Sequence, residues 1–227
     1  MSASAPTKHC RLSPSSSKRW LECPFSAQAD LPDVVSVEDT TGGKARNVGT
    51  SVHSLACKVV ADEASLDEVP EDWRDGVQMY VDHVQANEGK FIFEHFWESI
   101  CIDDFGGTTD TVIINGNKCA VYDFKTGKWP VDAFGNTQLI SYCSMIAEHF
   151  DVDEFFGVIV QPKPKWGDRV KVAEYTLDMI DAHRERVAIA AVSNHKAVGD
   201  HCRFCPLRLT QQCDEGARHA RKKGWGG

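Results

Sequence analysis

The stretch Gly106-Gly107-Thr108-Thr109-Asp110-Thr111-Val112-Ile113-Ile114-Asn115-Gly116-Asn117-Lys118-Cys119-Ala120-Val121-Tyr122-Asp123-Phe124-Lys125-Thr126-Gly127 decides how this sequence folds. Asn115-Gly116-Asn117 between two runs of β-branched and apolar residues is a hairpin signal. It pairs residues 108–114 with 118–125. The aromatic-rich run 91–102, turned by Gly106-Gly107, supplies a third strand, so residues 91–125 are expected to form a three-stranded antiparallel meander. Residues two apart on a strand share a face, so Asp123 and Lys125 emerge together, and the hairpin can bring Asp110 opposite them. Two carboxylates and a lysine then converge at one end of a sheet. Hard oxygen ligands of this kind suit Mg²⁺ or Mn²⁺. A lysine beside such a metal can orient water and stabilise charge developing on phosphate. The same Asp-x-Lys residues would also serve as a plain surface ion pair at a strand end.

Outward from this hairpin, helical and strand periods alternate. Towards the N-terminus, Ser13-Pro14-Ser15 can cap a helix running through Lys18, Trp20 and Leu21 to about residue 29. A loop with Pro32 and Gly42-Gly43 follows, then a helical pattern over 44–62 with Val48, Val52, Leu55, Ala56 and Val59 near one face. Residues 62–75 hold seven acids and one arginine, a solvated face or loop. Trp73, Val77, Tyr80, Val81 and Val84 make a second helical stripe. Towards the C-terminus come a helix over 131–150, a buried-type strand over 155–161, a Pro162/Pro164 break, an edge strand over 169–175 and a helix from a Thr176 cap to about 195. This order predicts one mixed α/β domain with a central sheet flanked by helices.

Further polar residues fit the hairpin site. His53 lies on the first striped helix and is a candidate metal ligand. Glu98, on the strand before the Gly-Gly turn, is expected to face the same cleft. Gln138 and Tyr142 are spaced i, i+4 and share a helix face, suited to contacting substrate phosphate or base. A capped helix with a tyrosine at the core edge would give the same pattern.

Composition limits the class. The 227 residues are 42% hydrophobic and 26% charged, ordinary for a globular protein rather than a disordered one. No apolar run reaches the roughly 18 residues of a membrane span, and residues 1–14 contain no apolar signal core, so a cytoplasmic location is expected. The net charge of −8 is segregated. Residues 1–30 carry four basic and two acidic side chains, residues 201–227 carry six and two, and the middle carries 15 and 29. Positive charge for gripping a polyphosphate therefore lies at the two ends, although two solvated tails would look the same.

Of nine cysteines, Cys57, Cys101, Cys119 and Cys143 stand singly in apolar-looking segments and read as core. Cys202-Arg203-Phe204-Cys205-Pro206 and Cys213 give C-x2-C-x7-C, a strong ligand signature one short of four. Cys23, beside Pro24 at the end of the first helix, is the first candidate for the fourth, with His201 and Cys10 as alternatives. Zinc and an iron–sulfur cluster are both compatible with this spacing. A site shared by Cys23 and the triplet would clip the two ends together.

The arrangement resembles the RecB-like branch of the PD-(D/E)xK nucleases, which includes the CRISPR-associated iron–sulfur exonucleases, AddB-type nucleases and phage relatives. The similar features, in order, are Ser15-Ser16-Ser17 to Cys23-Pro24, Gly49-Thr50-Ser51-Val52-His53, and Glu98 followed by Gly107-Thr108-Thr109-Asp110. Asp123-Phe124-Lys125-Thr126-Gly127, Gln138 with Tyr142, and the cysteine triplet complete the set. Two departures are the seven-residue gap between Cys205 and Cys213 and a threonine rather than a proline before Asp110.

The resemblance implies a restriction-endonuclease-like core and a metal-dependent DNA exonuclease, with endonuclease activity in some relatives, working in recombination, repair or phage DNA processing. It implies Mg²⁺ or Mn²⁺ on His53, Asp110, Asp123 and the Phe124 backbone carbonyl, and Lys125 positioning water. Glu98 joins the catalytic set, and Gln138 and Tyr142 hold DNA, single-stranded or with a free end. A [4Fe–4S] cluster on Cys23, Cys202, Cys205 and Cys213 is implied, with Zn²⁺ as the alternative. No helicase motif is present, so a helicase or recombination partner would be a separate chain. Residues 1–14 are expected as a flexible leader, 15–215 as the nuclease domain and 216–227 as a basic flexible tail. The competing expectation is a non-catalytic, cluster-bearing DNA-binding accessory protein of the same fold.

Overall fold

A computed structural model describes residues 10–28 and 43–225. The expected leader over 1–9, the loop over 31–42 and the last two residues lie outside that description, as do the side chains of residues 43–50. The core is a five-stranded sheet in the order β1-β4-β5-β6-β7, built from β1 (Lys90–Phe93), β4 (Thr111–Asn115), β5 (Lys118–Phe124), β6 (Glu154–Val160) and β7 (Val170–Tyr175). The β5–β6 pair is parallel and the others are antiparallel, so the sheet is mixed. A two-stranded sheet of β2 (Phe96–Glu98) and β3 (Gly106–Thr108) stands beside it.

The hairpin forms as the sequence predicts. Asn115 pairs with Lys118 across a two-residue turn, and Gly116, at its first central position, has φ +60°, a conformation that glycine adopts without strain. The expected meander is present as β1-β4-β5 but is not three continuous strands. The register stays constant from Phe93↔Thr111 to Phe96↔Thr108, while both strands turn together at residues 94–95 and 109–110 and pass into the small sheet. Glu94 takes φ +42° at this corner, and Glu94 N–H to Asp110 O (2.9 Å) and Thr109 N–H to His95 O (3.0 Å) carry the ladder across it. The run over 91–102 is therefore two strands and a loop.

Strand alternation divides the apolar residues between two faces. Val112, Cys119, Val121, Phe155, Ile159, Ala173 and Tyr175 form one core with α5 (Thr137–His149) and α6 (Leu177–Val192). Ile113, Tyr122, Phe124, Val158 and Val160 form the other with α3 (Gly43–Val60) and α4 (Glu71–Gln85). On α3 the buried Val52, Ala56 and Val60 recur every four residues, and α4 buries the stripe from Trp73 to Val84. Asn136 caps α5 by accepting from the Gln138 and Leu139 N–H groups, so this helix starts at residue 137 rather than 131. Residues 127–133 are instead held by side chains of the sheet edge. Gln161 accepts from Val131 N–H, and Lys171 and Tyr175 donate to the Val131 and Ala133 carbonyls.

The first described segment packs on the segment that follows α6. The first helix is broken at Cys23-Pro24 into α1 (Ser17–Glu22) and α2 (Phe25–Gln28). Phe25 N–H donates to His195 O (3.0 Å), and Glu22 meets His201 Nδ1 at 2.6 Å. Residues 10–14 are docked rather than loose: Leu12 is fully buried and bridges Phe105, with its N–H on Asp104 O. The expected flexible tail from residue 216 is largely helical. It continues α8 (Asp214–Lys222), which follows α7 (Pro206–Leu209), and Trp225 then lies edge-on to His219. Among the described residues, no helix is long and apolar enough to cross a membrane.

Candidate metal centre

Asp123 and Lys125 leave the carboxyl end of β5 on the α5 face, as strand alternation requires. The Lys125 ammonium lies 2.8 Å from Asp123 Oδ2 and donates to Asp123 Oδ1 (3.1 Å) and Gln138 Oε1 (3.0 Å). Gln138, in the first turn of α5, donates back to Asp123 Oδ1 at 2.9 Å. The carboxylate is thus fixed from two sides. Its Oδ2 is buried and, apart from the charge of Lys125, has no aligned hydrogen-bond donor.

Asp110 sits at the corner where the two sheets part. Its Oδ2 accepts the Phe124 N–H (2.7 Å) and lies 3.0 Å from His53 Nε2 on α3. The chain thereby joins α3, the β3–β4 corner and the end of β5 around one point. Phe124 enters the site, and the contact seen is through its N–H rather than the carbonyl. One turn beyond His53, the buried Cys57 completes a group with His53 and Asp110 whose ligand atoms all lie within 4.8 Å of one another. The sequence reading placed Cys57 in the core. Its i, i+4 spacing from His53 was the available signal, and a single cysteine in an apolar helix masked it.

Two predicted residues are placed differently. Glu98 is solvent-exposed on β2, its backbone carbonyl meets His149 Nε2 at 3.1 Å, and it is not among the groups that act on His53 or Asp123. The hairpin register puts Glu94 opposite Asp110 instead, within the electrostatic reach of His53 and Asp110. The sequence did not reveal this because Gly106-Gly107, expected as the turn, belongs to β3 itself, and the chain turns over residues 99–105 instead. Tyr142 is buried, and its hydroxyl donates to Thr108 O at 2.6 Å. It braces the β3–β4 corner and is not exposed to a ligand.

The electrostatics show an excess of negative charge. Burial pushes the Asp123 carboxyl up, Lys125 opposes this, and Asp110 pushes it further up. Burial also raises Glu94, partly offset by His53 and reinforced by Asp110. Burial pulls the His53 imidazole down, but its hydrogen bond to Asp110 and the charges of Asp110 and Asp123 leave it raised overall. The Cys57 thiol is driven up by burial first, then by Asp110, Glu94 and Asp123. A bound divalent cation would relieve each of these, so the donor set fits one.

At the joined ends, Cys23, Cys202 and Cys205 are buried and Cys213 is half-buried. Burial pushes the Cys202 thiol up, a backbone hydrogen bond at Gly199 opposes this, and Cys205, Cys23 and Cys213 push it further, so each of the three lies within electrostatic reach of Cys202. Arg19 is half-buried beside Cys205 and Cys23. Burial lowers its pKa, and the two thiols oppose that. Arg208 ties the segment by donating to the carbonyls of Cys202 (3.0 Å) and Arg203 (2.7 Å). Of the alternative fourth ligands, His201 has both ring nitrogens engaged, by Glu22 and by Ala197 O, and Cys10 lies against Gly106.

A family model described as "Protein of unknown function (DUF2800)" matches residues 9–223. The chain belongs to this family. The matched range includes His53, Asp110 and Asp123 as well as Cys23, Cys202, Cys205 and Cys213. A solved structure described as "Crystal structure of SSO0001" is similar over 93% of this chain and 89% of that one, at 12% identity and a TM-score of 0.44. The five-stranded mixed sheet flanked by helices is consistent with a restriction-endonuclease-like core.

Proposed function

We propose that this protein is a divalent-metal-dependent DNA nuclease of the RecB-like kind, acting as an exonuclease. The observation that carries the proposal is the convergence of His53, Asp110, Asp123, Lys125 and Gln138 at the carboxyl end of β5. His53, Asp110 and Asp123 would hold the cation, with Phe124 contributing backbone and Cys57 within ligand distance. When bound, Mg²⁺ or Mn²⁺ supplies charge neutralisation at the scissile phosphate and a more acidic water. Lys125 orients that water and faces the charge that develops on phosphate. Gln138 holds both Asp123 and Lys125 in place. Tyr142 and the Phe124 N–H fix the corner that carries Asp110.

The cysteines support a second cofactor. Cys23 and the C-x2-C-x7-C triplet would hold a [4Fe–4S] cluster, with Zn²⁺ as the alternative, and Arg19, beside Cys205 and Cys23, would balance its charge. Its role is structural, since phosphodiester hydrolysis transfers no electrons.

The test is incubation of anaerobically purified protein with end-labelled DNA in Mn²⁺, Mg²⁺ or EDTA. Metal-dependent release of labelled nucleotides is expected. DNA binding with no cleavage in either metal would point instead to an accessory protein of the same fold.

A further inference from the structure

The loops at the carboxyl ends of β5 and β6 carry a surface that the site does not use. Residues 126–131 and 161–171 contain five basic side chains and one acidic one, within a middle segment that otherwise carries a large acidic excess. Lys163 and Lys171 face Asp72 and Asp132, whereas Lys128, Lys165 and Arg169 are exposed and, among the described residues, form no ion pair. On the same loops Trp129 and Trp166 are 67% and 56% exposed, an unusual state for the largest apolar side chain. Their rings meet edge to face at 5.5 Å, and the Lys165 ammonium lies 5.0 and 5.6 Å from the two centroids.

The ledge is built rather than loose. Gln161, 1% exposed, donates to the Gly127 and Trp129 carbonyls (2.6 and 2.8 Å) and accepts from Val131 N–H (3.0 Å). Lys165 N–H donates to Lys128 O (2.7 Å), binding one loop to the other. Trp129 stands four residues beyond Lys125, and Lys125 N–H itself pairs with Val160 O at the root of the second loop.

We propose that Trp129, Trp166 and Lys165 form a binding ledge for single-stranded DNA, on which unpaired bases stack while Lys128, Lys165 and Arg169 meet the phosphates. Two exposed indole rings offer stacking faces, and the cations complement a polyanion. In a duplex the base faces are already covered by their neighbours, so the ledge selects single strands. The proposal rests on the nuclease reading and adds to it a binding surface built from the two loops.

The experiment measures anisotropy of fluorescein-labelled oligothymidylate and of a labelled duplex with the full-length holoprotein in EDTA, where no cleavage intervenes. The single strand is expected to bind more tightly than the duplex. Trp129→Ala with Trp166→Ala should weaken single-strand binding roughly 10- to 100-fold. Lys165→Gln should weaken it less and flatten its salt dependence. Circular dichroism should be unchanged, because these side chains are exposed. Unaltered single-strand affinity in the double tryptophan variant, or equal loss of duplex and single-strand binding, overturns the ledge. Tryptophan-dependent binding without metal-dependent cleavage would leave the ledge standing and remove the nuclease reading.

Discussion

Lys125 touches both oxygens of Asp123 and the amide oxygen of Gln138, and its side chain is 27% exposed against 6% for Asp123. In the proposed reaction an ammonium so placed would act on the charge that forms during cleavage more than on bound DNA. Lys125→Ala is therefore expected to lower kcat by about 10²-fold or more with DNA affinity in EDTA nearly unchanged. A fall in affinity with kcat preserved would make it a phosphate anchor. The pairing of Asp123 with Lys125 was legible because strand period two admits only one arrangement. Glu94 and Cys57 were not, since one depends on a loop length and the other looks like any small core residue.

At the level of elements, α5 carries Gln138 and Tyr142 and is held to α6 by a buried pair. Ser141 Oγ donates to Thr137 O, so it accepts from His183 Nε2 at 2.8 Å. Burial, helped by Arg186, lowers His183 to about 4. Between that value and the 6.5 of an unperturbed histidine, the unfolded chain binds a proton that the folded chain does not. Stability from this group is thus complete above about pH 6.5 and is lost as pH falls towards 4, on the order of 3 kcal/mol across the window. Urea melts at stepped pH should show that slope, and His183→Gln should flatten it. At the β3 edge, a Cβ on Gly107 would lie 2.8 Å from Pro14 Cδ and 3.3 Å from Tyr142 Oη. Gly107→Ala should cost about 1–3 kcal/mol in the same melts. Helix stripes and the Asn-Gly hairpin made most elements readable. The corner at residues 94–95 and 109–110 was not, because a shared bend leaves the alternation and register of both strands intact.

Over the whole molecule, the carboxylate centre and the cysteine neighbourhood are separate, one at the end of β5 and the other where the two chain ends meet. A link between the two segments was expected from the spacing of Cys202, Cys205 and Cys213 together with the distant Cys23, and residues 10–28 do pack on the C-terminal segment. The depth of that packing was hidden by a composition that reads as tail. Cys23→Ala should purify without iron and with a lowered Tm, since the proposed clip would close a loop spanning most of the chain. Full iron content in that variant would place the fourth ligand elsewhere. The proposed activity rests on Asp110 and Asp123 holding a cation, and Asp→Asn at each keeps the shape while removing the charge. The most direct measurement is single-turnover cleavage of end-labelled single-stranded DNA in Mn²⁺ by wild type, Asp110→Asn and Asp123→Asn, each checked for an unchanged fold. Cleavage by wild type that EDTA abolishes and both variants lose is the predicted result, whereas near-normal cleavage by both variants would contradict the account.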